Sequence, residues 1–134
     1  LEQLVKAVGK EHVVLDLSCR KKNDSYYIVT DRWQKFTSQC LDEALMEKLH
    51  LYCDEFLVHA VNVEGTGMGV DEDLLKILAK ESEIPITYAG GIGSYEDIEK
   101  IQKTGKNRVN YTIGSALDLF GGSLKFDTIV TKFN

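Results

Sequence analysis

The chain has 134 residues, 43% of them apolar, and carries a net charge of -5 with a pI near 5.2, so it describes one domain with enough apolar material for a core. That balance argues against electrostatic binding of nucleic acid, which concentrates Lys and Arg to displace counterions; the one basic cluster, Arg20-Lys21-Lys22, is too short to reverse it. No window approaches the roughly 20 apolar residues of a membrane span and no charged-then-apolar leader opens the chain, so an intracellular protein without a membrane partner is expected.

Leu1, Leu4, Val5 and Val8 fall on one helical face, and Gly9 stands where that helix would stop. The chain therefore opens inside a helix without an obvious N-cap, a hint of truncation. His12 to Leu17 is a near-continuous apolar run, as in parallel strands covered on both sides, with Asp16 near its C-terminal end. Lys21 to Asp24 reads as a polar turn and Tyr26 to Thr30 as a short extra strand or hairpin, an insertion expected over the strand ends. Leu41, Leu45, Leu49 and Tyr52 give an amphipathic helix over about Leu41 to Cys53.

A strand over Glu55 to Val61 leads into the glycine-rich loop Glu64 to Gly69, and Asp71 is placed to cap a helix bearing Leu74, Leu75, Ile77 and Leu78. The strand Pro85 to Ala89 ends in Gly90-Gly91. Ser94 with Asp97 forms a capping-box pattern ahead of a helix that buries Tyr95, Ile98 and Ile101 and ends at Gly105. Arg108 to Ile113 is the last strand. It ends in Gly114-Ser115, followed by a short helical turn to Phe120, a break at Gly121-Gly122 and a final helix over Phe126 to Phe133.

Strict alternation of helix and strand implies parallel strands joined by right-handed crossovers. Four strands do not close a barrel, and a complete (βα)8 barrel takes about 250 residues. The alternatives are a flavodoxin-like open sheet and half of a barrel. Two consecutive strands that end in glycine turns favour the half-barrel, because backbone N–H groups at such turns can grip a phosphate and barrels often build that site after strands seven and eight. Cys19, Cys40 and Cys53 are an odd set without paired close spacing, so reduced, buried or half-buried thiols are expected. His50 with Cys53 lacks further ligands for a metal.

Five blocks in order, VVLDLSCRKK, IVTDRWQKF, DEFLVHAVNVEG, ITYAGG and TIGSALDLFGG, together resemble the eukaryotic, plant-like form of the phosphoribosylformimino-aminoimidazole carboxamide ribotide (ProFAR) isomerases of histidine biosynthesis. The resemblance covers nearly the whole chain and places it as the C-terminal half of that TIM barrel, strands five to eight, a single unit over residues 1–134. It implies an aminoaldose–aminoketose (Amadori) isomerase that converts ProFAR to PRFAR by acid–base catalysis without cofactor or metal. Asp16 matches the strand-five aspartate, written as the general acid; its partner on strand one would lie outside this chain. Two carboxylates in different environments can divide the acid and base roles.

The same resemblance assigns Gly90, Gly91, Gly114 and Ser115 to a phosphate grip on the bisphosphate substrate, with Gly65 and Thr66 at the same mouth. Glu64 stands where many members have an acid before Gly-Thr, or is a solvent-facing loop acid. Trp33 would stack on the imidazole base or simply pack, and Arg20 would pair with a phosphate or carboxamide or form a surface salt bridge. Ala60 follows the strand-six histidine where many bacterial members place threonine, which removes one catalytic hydroxyl; His59 itself reads as a buried strand histidine rather than a base. The related cyclase of the same pathway shares the two-phosphate design, but VVLDLSCRKK does not resemble it.

The half would retain one phosphate grip and one of two acids. Its expected partner is an N-terminal half-barrel or a second copy of itself, since an open piece of a barrel exposes strand edges. The rival reading is a non-catalytic phosphate-binding half-barrel that self-associates. A cytoplasmic location is expected, or a plastid if the source is a plant.

Overall fold

The computed structural model describes residues 2–133 except 31–34, 64–67 and 81–82, with the backbone alone for 35–38. Helix α1 (Glu2–Val8) is stopped by Gly9 at φ 88°, and a 3-10 turn (Lys10–His12) leads into β1 (Val14–Lys22). There follow β2 (Ser25–Thr30), β3 (Lys35–Cys40), α2 (Glu43–Leu49), β4 (Glu55–Ala60), α3 (Glu72–Leu78), β5 (Ile86–Ala89), α4 (Tyr95–Thr104), β6 (Val109–Thr112) and α5 (Phe126–Phe133). The described strands form one sheet in the order β3-β2-β1-β4-β5-β6. The pairs β1–β4, β4–β5 and β5–β6 are parallel, as the alternation predicts; β2 and β3 add an antiparallel hairpin.

Three local expectations change. Instead of ending near Leu17, β1 runs on to Lys22, and the turn is confined to Asn23 and Asp24, at φ 51° and 66°. Short polar side chains accept that left-handed geometry better than most. The inserted hairpin pairs with Cys19 to Lys22, so it widens the sheet at the C-terminal end of β1. Helix α2 is shorter than the leucine spacing suggests, because Asp42 caps it by accepting from the Leu45 amide at 2.8 Å and it buries Met46 rather than Leu45. The predicted face of α1 is not buried: Leu4 is 51% and Val8 43% exposed.

Side chains on one sheet face are buried beneath the helices. Leu17, Cys19, Phe56, Val58, Ile86, Tyr88 and Val109 meet Leu74, Leu75, Leu78, Ile98 and Ile101 from α3 and α4. Each such burial is worth about 1.5–3 kcal/mol. The opposite face carries Val14, Asp16, Ser18, Glu55, Leu57, His59, Thr87, Asn110 and Thr112, half-buried or exposed. Cys19 and Cys53 are buried free thiols and Cys40 is half-buried, as expected. No described helix is long and apolar enough to cross a membrane.

A buried tie holds the hairpin to the helical layer. The Tyr26 hydroxyl donates to Asp71 Oδ1 at 2.5 Å, the same oxygen accepts from the Leu74 amide, and the Asp71 amide donates to the Tyr88 hydroxyl at 2.8 Å. Burial first, and then the hydrogen bond to Asp71, pushes the Tyr26 phenol well above its ordinary value. Burial pushes the Cys19 thiol up to about 12. Both raised values mean stability that is complete below the unfolded-state values, about 8.5 for Cys and 10 for Tyr, and lost as pH rises past them. Urea unfolding at stepped pH should therefore show stability falling from about pH 9 upward, with Tyr26→Phe flattening the part above about pH 10. A slope unchanged by that substitution would contradict the assignment.

Candidate active site

Because β1, β4, β5 and β6 run parallel, the loops that follow them all leave the sheet at one edge. A cavity of about 310 Å³ opens there, lined by His59, Ala89, Gly90, Gly91, Ile92, Thr112, Ile113, Gly114, Ser115 and Ala116. The two predicted glycine turns thus form one concavity.

Their glycines are needed for different reasons. Gly90 has φ 133°, and a Cβ there would meet the Ala60 carbonyl oxygen at 3.0 Å. Gly91 has φ 77°, and a Cβ there would lie 2.0 Å from the Gly69 carbonyl oxygen. The Gly69 amide donates to the Gly91 carbonyl at 2.9 Å, so the loop after β4 is pressed against the turn after β5. Gly114 differs: a Cβ there would meet nothing within 4 Å. Its missing side chain leaves the cavity open, whereas the others let backbone segments approach.

The first turn is also held from below. Asp97 is 6% exposed; its Oδ2 accepts from the Gly93 amide at 2.9 Å and the Ser94 amide at 3.1 Å, while Ser94 Oγ accepts from the Asp97 amide at 3.2 Å. This is the predicted capping box, and its acid fixes the path between Gly91 and α4. The second turn closes through the pairing of Leu117 with Leu124 and a 3-10 turn (Asp118–Phe120), shorter than the predicted helical turn and ended by Gly121 at φ 88°. A Cβ on Gly122 would meet the Ala116 carbonyl oxygen at 2.0 Å, so this crossing also demands glycine.

Asp16 lies on the exposed sheet face with its side chain 60% accessible, outside the cavity lining. Its direct neighbour on β4 is Leu57, whereas His59 stands opposite Ser18. The imidazole nevertheless reaches the carboxylate diagonally, Nε2 to Oδ1 at 3.0 Å, with the His59 side chain only 22% accessible. His59 is therefore not the core histidine that the apolar run suggested. It touches Asp16 through Nε2 and is also one of the residues that line the cavity. Strand parity carried the signal: Phe56, Val58 and Ala60 are buried on the helix side, so Glu55, Leu57 and His59 share the face of Asp16.

Arg20 continues that face two residues beyond Ser18, half-buried and in register with Tyr27, and is not part of the cavity lining. Trp33, Glu64, Gly65 and Thr66 lie outside the described residues. Among the described residues no three His, Cys, Asp or Glu side chains gather where they could hold a metal ion.

Parallel strands with two glycine turns gathered at their C-terminal edge, and an acid one pleat below on the same face, fit an α/β chain of the barrel type, with a cavity where such barrels place their sites. The chain belongs to the family described as histidine biosynthesis protein, a family of TIM barrels whose model matches residues 1–124. It is 54% identical over all of its 134 residues to the chloroplastic 1-(5-phosphoribosyl)-5-((5-phosphoribosylamino)methylideneamino)imidazole-4-carboxamide isomerase of Medicago truncatula, covering 43% of that protein. Enzymes of the same name from Yarrowia lipolytica and Saccharomyces cerevisiae are 42% and 40% identical over 91% and 95% of the chain, which covers 48% and 51% of them. The chain spans about half the length of the relatives it matches, and those relatives are isomerases by name.

The glycine geometry separates packing from binding. Gly91→Ala should destabilise the fold by about 1–3 kcal/mol from backbone strain alone, before the clash with Gly69 is added. Gly114→Ala should stay within about 0.5 kcal/mol of the parent in urea unfolding, yet lower the affinity for inorganic phosphate measured by titration calorimetry. Phosphate affinity unchanged in Gly114→Ala would remove that residue from the binding surface.

Proposed function

We propose that the chain is the C-terminal half-barrel of a ProFAR isomerase, and that the whole protein converts this aminoaldose to the aminoketose PRFAR by an Amadori rearrangement. The observation that carries the reading is the joining of Asp16, through His59, to the cavity walled by Gly90, Gly91, Gly114 and Ser115. An acid linked through His59 to a concavity walled by glycine turns suits a substrate whose reacting sugar ends in a phosphate.

In this reading the two glycine turns grip one phosphate of the bisphosphate substrate and hold the adjoining ribose over the face of Asp16. Asp16, as the general acid, delivers a proton to the ribose ring oxygen as the C1–O bond breaks and the nitrogen lone pair forms the iminium. A carboxylate on the missing half then removes the C2 proton, and the resulting enolamine tautomerises to the ketose, so the reaction is proton transfer throughout. Trp33, Arg20, Glu64, Gly65 and Thr66 complete the assignment by family resemblance as base-stacking, phosphate-pairing and mouth residues.

The partner that closes this site is the N-terminal half-barrel. The polar face around Asp16 and the sheet edges at β3 and β6 support that requirement, because an interior built for substrate does not bury itself. The chloroplastic name of the Medicago relative supports a plastid location over the cytoplasm.

Isomerase assays should find negligible turnover for the 134-residue chain alone and turnover when it is joined to its N-terminal half. In the joined protein, Asp16→Asn should lower kcat by about 10²–10⁴-fold. Robust turnover by the chain alone, or by the Asp16→Asn protein, would overturn the proposal; a dimer of the lone chain in light scattering, binding phosphate but inert when joined, would favour a non-catalytic phosphate-binding module.

A further inference from the structure

We infer that His59 is the positioning residue of Asp16: its Nε2–H donates to Oδ1 and so aims Oδ2 at the substrate held by the cavity. This deepens, and rests on, the assignment of Asp16 as the acid.

The placement follows from register and side-chain size. In the row Ser18, His59, Ala89 and Thr112, the strand neighbours of His59 are small, Ser18 on β1 and Ala89 on β5. An imidazole between two small residues has room to lean along the sheet, and it leans toward Asp16, one pleat nearer the strand start. The contact engages a single carboxylate oxygen, which leaves the other for proton transfer. A carboxylate that is 60% accessible would otherwise sample several rotamers. A pair this exposed contributes little to stability, so its geometry answers better to orientation than to holding the sheet together. His59 also lines the cavity with Gly90, Gly91, Gly114 and Ser115, so one residue links the acid to the glycine turns. Such a hydrogen bond also stabilises the carboxylate that remains once the proton has left.

The test uses the full-length protein that carries this chain, with three substitutions. Asp16→Asn should lower kcat by about 10²–10⁴-fold. His59→Leu should lower kcat on the order of 100-fold, the scale of a misplaced catalytic group, with KM changed no more than about twofold because the phosphate turns are intact. His59→Gln, whose amide N–H can occupy the position of Nε2, should restore most of the loss. Wild-type kcat in His59→Leu alongside an impaired Asp16→Asn would overturn the inference and leave the acid assignment standing. Full activity in Asp16→Asn would instead overturn the assignment on which it rests. A Gln variant as impaired as the Leu variant would contradict positioning, since the imidazole itself would then be required. Should His59→Leu fail to fold, long-range ¹H–¹⁵N spectra of the wild-type imidazole decide: Nε2 should carry the proton and shift in Asp16→Asn, and an unprotonated Nε2 or an unmoved resonance would overturn the inference.

Discussion

The parallel register of β1, β4, β5 and β6 is the constraint on which everything else depends. Parallel strands must return through crossovers, so the segments leaving their C-terminal ends collect at one edge while helices cover one face. From that rule alone, the turn after β5 and the turn after β6 become neighbours, and His59 of β4 links their cavity to Asp16 of β1, almost a hundred residues from Ser115. Register supplies the rest. A shift of β4 by one residue would send His59 into the helical layer and bring Val58 or Ala60 to the face of Asp16.

Parallel sheets are normally covered on both faces, and among the described residues helices cover only one face of this sheet. That face carries Asp16, Ser18, Glu55, His59, Thr87, Asn110 and Thr112, with Val14 and Leu57 as its apolar members, and part of its polarity is already satisfied internally, as where Thr87 Oγ1 donates to Glu55 Oε1 at 3.0 Å. Such a surface gains little from being buried against another apolar layer. It is suited to the lining of a closed barrel, where substrate and water meet it.

Most of the architecture was legible in the residues, because the helix periods, the caps at Asp71 and Ser94 and the glycine stops act locally and have local signatures. The hairpin was only half legible. Its β3 strand, Lys35–Cys40, is polar and has no two-residue turn signal before it, and β1 extends past its apolar run because pairing with β2 supplies hydrogen bonds that composition does not announce. The cavity was legible as two glycine turns expected to share one site, and the fold brings them into one concavity; the part taken by His59 and Ile92 in its wall was not legible. The pairing of His59 with Asp16 was the least legible feature: in a run such as EFLVHAV a histidine looks like core, and only the neighbouring strand decides which face is wet. The Tyr26–Asp71–Tyr88 tie was invisible for the same reason, since its members are 45 and 17 residues apart.

The account stands on the two glycine turns and His59 forming one site. The most direct measurement is a titration of inorganic phosphate into the ¹⁵N-labelled chain, following the amides of Gly91 and Ser115 together with the His59 side chain. The account predicts that all three shift along one saturating curve with a single Kd. Shifts confined to one turn, or a His59 resonance indifferent to phosphate, would show separate surfaces and contradict it.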